Sequence, residues 1–195
     1  SGSTPLVFQY TIQAGETDAD GISIEANTLA LNSGTIRDAA GNNATITYSA
    51  VSANTSYKVD NTAPSVDNFT LSDTALKAGD NATVTLRFSE AVVSFSSAAD
   101  ITADNGTLAA MSSADNITWT GTFTPTANTE DASNTLSLAT SYTDTAGNAG
   151  PAATTENYAV ETLAPSVDNF TLSDTALKAG DNATVTLRFS EAVVS

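Results

Sequence analysis

Residues 63–94 read APSVDNFTLSDTALKAGDNATVTLRFSEAVVS, and residues 164–195 repeat them letter for letter, 32 residues at an offset of 101. An identity this long is the mark of tandem duplication, and its period defines the unit that folds. The chain therefore divides into the C-terminal part of one module (residues 1–62), a complete module (63–163) and the first strands of a third (164–195). A module of about 100 residues is enough to enclose its own core. The chain stops in mid-repeat and does not start with Met, so it reads as a piece of a longer protein.

Within the unit, apolar residues recur with a period of two. Leu6, Phe8, Tyr10 and Ile12 share one face of a predicted strand, and Ile22, Ile24, Leu29 and Leu31 continue the pattern. Another strand is expected through Ile46 and Tyr48. In the complete module Val84, Leu86 and Phe88 alternate with Thr83, Thr85 and Arg87, as in a half-buried strand. Asn105-Gly106 signals a hairpin. Ile117, Trp119 and Phe123 share a strand face, with Trp119 expected to anchor the core. Thr129-Glu130-Asp131-Ala132 reads as an acidic turn, and Leu136, Leu138 and Tyr142 resume the period. No stretch has helical spacing. About seven short strands per hundred residues, separated by turn signals, define an all-β chain of antiparallel β-sandwiches.

Charge narrows the function. The chain carries 22 acidic residues against 6 basic ones, a net charge of −16. Nucleic acid and anionic membrane surfaces, which attract Lys and Arg, are poor partners for it. The balance suits a solvated extracellular surface, or one that gathers cations. There is no Cys and no His, which removes disulfides, thiolate metal sites and every Ser-His-Asp arrangement. No apolar run is long enough for a membrane-spanning helix.

Three motifs recur in fixed order: Val59-Asp60-Asn61-Thr62-Ala63-Pro64, Phe88-Ser89-Glu90-Ala91-Val92 and Asp144-Thr145-Ala146-Gly147-Asn148. Together they resemble the bacterial Ig-like repeats of giant surface adhesins, the RTX-type and biofilm-associated proteins exported by type I secretion. The resemblance covers nearly the whole chain. It implies tandem Ig-like β-sandwiches, Ca2+ at the module junctions, and an extracellular role on the bacterial cell surface as an extender that carries a distal adhesive domain. The third module departs from the pattern, with Glu161-Thr162-Leu163 where the second has Asp60-Asn61-Thr62.

In an Ig topology the loops carrying Glu90 and Asp144 lie at the N-terminal end of the module. The linker brings Asp60 there, and the preceding module presents Glu16, Asp18 and Asp20. Carboxylates gathered this closely repel one another, and a hard cation taking 6–8 oxygen ligands removes the repulsion. The second junction is expected to use Glu130 and Asp131, then Glu161 and Glu191. Asp38 stands in the first module where Asp144 stands in the second.

No residues support catalysis, so the chain is not expected to be an enzyme. A ligand-binding module for carbohydrate or a host protein is the alternative. Trp119, Tyr142 and Tyr158 would be its stacking platform, but sandwich packing accounts for them better. The partners expected are neighbouring modules of the same chain. The first 62 residues lack opening strands and the last 32 are opening strands alone, so strand exchange between chains is a further expectation.

Overall fold

The computed structural model describes residues 4–194. Its strands run in chain order as β1 (Val66–Leu71), β2 (Ala75–Lys77), β3 (Ala82–Phe88), β4 (Val92–Val93), a helical turn α1 (Ser97–Asp100), β5 (Ile101–Ala103), β6 (Gly106–Leu108), β7 (Thr118–Pro125), β8 (Glu130–Asn134), β9 (Leu136–Leu138), β10 (Thr143–Asp144), β11 (Ala153–Thr154), β12 (Tyr158–Glu161), β13 (Val167–Leu172) and β14 (Val185–Phe189). One sheet has the order β1-β3-β7-β6. The other layer consists of β2-β12-β8 and β11-β9-β5, and β4 pairs with β10 at one end. Every pairing is antiparallel except β2 with β12.

The alternation of β3 is realised as read: Val84, Leu86 and Phe88 are fully buried, while Thr83 and Arg87 are exposed. They meet Phe123, Leu136, Leu138, Tyr142, Tyr158 and Val160 from the rest of the sandwich in one core. Its aromatics pack edge-on or tilted, with Phe123 and Tyr158 centroids 5.1 Å apart and Phe88 and Tyr142 4.8 Å apart. Such pairs add about 0.5–1.5 kcal/mol each beyond their burial.

Several sequence expectations are corrected. Trp119 is half-buried at the rim rather than the centre, packed on Phe95. It lies opposite Leu86 on β3, whereas β6 covers β7 only from Phe123 to Pro125. Asn105-Gly106 makes no hairpin, because β5 pairs with β9 and β6 with β7, so the turn carries the chain from one layer to the other. Gly106 is needed there because a Cβ would meet the Phe123 ring at 2.0 Å. Glu130 and Asp131 are strand, not turn: β8 pairs with β12 in the register Val160↔Asp131 and Glu161↔Glu130. Ser97–Asp100 is one helical turn, in which Asp100 accepts the Ser96 backbone N–H at 2.7 Å.

The strands expected in residues 4–62 are replaced by isolated bridges, Asp18↔Val59, Ile24↔Val51 and Arg37↔Asn43. Leu6, Phe8, Tyr10, Ile22, Ile24 and Tyr57 are exposed. The physical reason lies in the complete module, where the equivalent residues close against β1, β2 and β3. Residues 4–62 themselves hold no counterparts of those strands.

Candidate metal centre

Three short elements build the site. β4 and β10 pair in the register Val92↔Asp144, which sets Glu90, two residues before β4, beside Asp144. The linker supplies Asp60. The ligand oxygens of Asp60, Glu90 and Asp144 all lie within 4.8 Å of one another. Asp60 is exposed, Glu90 half-buried and Asp144 buried, so the cluster grades from solvent into the end of the sandwich. A recess of about 270 Å³ lined by Thr55, Ser56, Lys58, Asp60, Thr145 and Ala146 lies at the same end.

Asp144 is held by its own turn. Its Oδ1 accepts the backbone N–H groups of Ala146, Gly147 and Asn148 at 2.8, 2.7 and 2.9 Å, and Oδ2 accepts the Asn148 side chain at 2.7 Å. Burial pushes the carboxyl up, but the bonds from Asn148, Gly147 and Ala146 together outweigh it and leave its pKa lowered. The Asp38 turn repeats the device, with Oδ1 accepting from Ala40 and Asn42 and Oδ2 from the Asn42 side chain.

Glu90 goes the other way. Burial, then the charges of Asp60 and Asp144, raise its pKa. In cation-free protein its stabilising contribution is present below the ordinary value of 4.5 and is lost as pH rises through the raised one. The contribution of Asp144 is present above 3.8 and is lost as pH falls through its lowered value. Glu90→Gln is therefore expected to gain on the parent in urea unfolding in chelator as pH climbs from about 4 to about 7. A difference between the two that stays constant with pH would remove the repulsion from the account.

The linker is braced from both sides. The Asn148 Nδ2 donates to the carbonyls of Asp60 and Thr62 at 3.1 and 3.2 Å. The Asn61 Nδ2 donates to the carbonyls of Gln13 and Glu16 at 3.2 and 2.7 Å. Thr162, one period after Asn61, faces the equivalent carbonyls of Thr126 and Thr129 at 2.6 and 3.2 Å, with one hydroxyl proton to share between them. The departure at the second linker thus changes the side chain and preserves its acceptors. Glu161 accepts the Leu163 N–H at 3.1 Å, as Asp60 accepts that of Thr62 at 2.9 Å.

The other expected ligands are not part of this cluster. Glu16 accepts from the Tyr10 hydroxyl and the Gln13 N–H, Asp18 caps the Gly21 N–H, and Asp20 is exposed. Asp131 accepts from Asn105 and Ser133, Glu130 faces Glu161 across the β8·β12 ladder, and Glu191 is exposed. Among the described residues they join no third acidic group at ligand distance. The residue that sequence reasoning passed over is Asn148. Its signal was present, since Asn closes both Asp-x-Ala-Gly-Asn turns.

The fold and this polar end define an Ig-like β-sandwich with acidic residues at its linker. A family model described as a bacterial Ig-like domain matches residues 60–160, and the chain belongs to that family. No curated protein and no solved structure matches the chain.

Proposed function

We propose that the chain is a structural extender of a bacterial surface adhesin, stiffened at its linker by Ca2+ and projecting a distal adhesive domain for adhesion or biofilm formation. Family membership supports the coarser part, a surface-protein module of a family that is in general non-catalytic. No helix among the described residues is long and apolar enough to cross a membrane. The observation that carries the reading is the meeting of the linker carboxylate Asp60 with Glu90 and Asp144 of the following sandwich within 4.8 Å. Three carboxylates form an all-oxygen donor set, which fits a hard cation such as Ca2+. The ion would neutralise the charges of Asp60 and Asp144 that, after burial, raise the Glu90 pKa. It would also tie the linker to the sandwich where Asn148 already holds the Asp60 and Thr62 carbonyls.

Ca2+ at about 100 times its Kd adds about 2.7 kcal/mol, a rise in Tm of about 10 °C for a module of this size. The rise is expected in the parent and absent in Asp60→Ala and Glu90→Ala, by thermal melting and calorimetry. Small-angle scattering should show a longer maximum dimension in Ca2+ than in chelator. An unchanged Tm and an unchanged maximum dimension would overturn the reading.

A further inference from the structure

We propose that Asn105 is a modification site that the fold holds in check: it deamidates when the complete module opens, and its product opposes reclosure. Asn105-Gly106 is the one Asn-Gly pair in the chain. Glycine has no side chain to shield its backbone nitrogen, so in an unfolded segment the carboxamide carbon of the preceding Asn comes within its reach. The Gly106 nitrogen attacks Cγ of Asn105. The new Cγ–N bond closes a succinimide, the Cγ–Nδ2 bond breaks, and the displaced amide proton leaves with ammonia. Water then opens the ring to Asp or isoAsp.

The closed module resists each part of this step. The Asn105 Nδ2, which must leave, donates to Asp131 Oδ2 at 2.8 Å and to Asn134 Oδ1 at 2.7 Å. Asn134 is 1% exposed and is itself fixed, donating to the backbone carbonyls of Asp131 and Tyr158 at 2.9 and 3.1 Å. The Asn105 carbonyl accepts the Thr126 N–H at 2.8 Å, and Gly106 begins β6 opposite Pro125. Both residues of the reactive pair are thus held, Asn105 at φ +46°. Ring closure requires that the turn first let go of both layers.

The product does not fit the place its parent leaves. A carboxylate at position 105 turns two donated hydrogen bonds into contacts between acceptors, one of them the Asp131 carboxylate. Asp104 adds a further acidic group at this end of the sandwich. Burial, then the charge of Asp104 and to a smaller extent that of Asp131, push the Tyr158 hydroxyl up. No ion pair among the described residues brings Lys or Arg to Asp104 or Asp131. IsoAsp is worse for a second reason, since it inserts a methylene into the backbone of the turn between β5 and β6. Gly106 has no room to absorb it, because even a Cβ there would meet the Phe123 ring at 2.0 Å. The mark therefore accumulates in modules that have opened and destabilises their closed form.

Ageing of the 195-residue chain at mildly alkaline pH, in buffer and in urea, tests the proposal. Peptide mapping and labelling by an isoaspartate-specific methyltransferase read the mark. In urea Asn105 should convert first among the asparagines. In buffer it should convert at least about tenfold more slowly, because the reaction waits on opening. Asn105→Asp and Asn105→Gly separate the carboxylate from the lost bonds, since Gly accepts the positive φ and brings no charge. Repulsion raises the folded-state pKa of the new carboxyl, so Asn105→Asp should lose stability relative to Asn105→Gly as pH climbs from about 4 to about 7. Equal conversion in buffer and in urea overturns the proposal. So does another asparagine converting first in urea, or a difference between the two variants that stays constant with pH.

Discussion

Tyr158→Ala should cost the complete module about 4 kcal/mol, against a total of about 5–15 kcal/mol for a domain of this size. The side chain is fully buried, and its ring packs edge-on against Phe123 at 5.1 Å. Its hydroxyl donates to the Asp104 carbonyl, which ties β12 to the turn where the chain changes layers. Truncation leaves a cavity and also strands that carbonyl. Tyr158→Phe removes only the hydrogen bond and should cost about 1–2 kcal/mol. Urea unfolding of both variants separates ring packing from the polar contact. Equal losses would mean that the hydroxyl, not the ring, holds β12 in place.

Tyr158 is also a guide to what the sequence makes legible. It recurs as Tyr57 one period earlier, so the repeat marked it as part of the unit. Alternation marked β3 because each inward residue is apolar and the outward ones are not. Glu130–Asn134 escaped notice because β8 carries no large apolar residue; its strand state comes from pairing with β12, far along the chain. Trp119 misled because size suggests a centre, while position is set by how far β6 extends over β7.

The same division holds at the candidate site. Glu90 and Asp144 could be brought together from topology, since the loops that carry them share one end of a sandwich. The bonds of Asn148 could not, because its acceptors are backbone carbonyls 86 and 88 residues away and carry no side-chain signature. Nor could the Thr162 substitution be judged from residue type. Asn and Thr differ chemically, yet each lies within hydrogen-bond distance of the equivalent pair of carbonyls at its own linker. In residues 4–62 the periodicity of Leu6 to Ile12 was real, but a strand needs a ladder partner, and those residues hold no counterpart of β3.

Gly150→Ala is expected to unite these two themes, losing about 3 kcal/mol of stability and at least a tenfold factor in Ca2+ affinity together. A Cβ at Gly150 would lie 2.0 Å from the Tyr142 ring and 2.6 Å from its hydroxyl. The ring has little room to yield. It packs on Phe88 at 4.8 Å and Phe95 at 6.2 Å, and its hydroxyl donates to the Pro151 carbonyl at 2.7 Å. The Gly150 N–H donates to the Tyr142 carbonyl at 3.1 Å, so the two residues clamp the base of the Asp144–Asn148 turn. Relief of the clash must move one arm of that clamp, and Asp144 and Asn148 move with it. Gly79→Ala is the control: Gly79 has φ +88° with open space around it, at a turn away from the cluster. It should cost about 1 kcal/mol through backbone strain alone and leave the Ca2+ response intact. Chemical unfolding and Ca2+ calorimetry on the two variants read both quantities. If Gly150→Ala loses stability but binds Ca2+ as the parent does, the turn holds its geometry independently of the core beneath it.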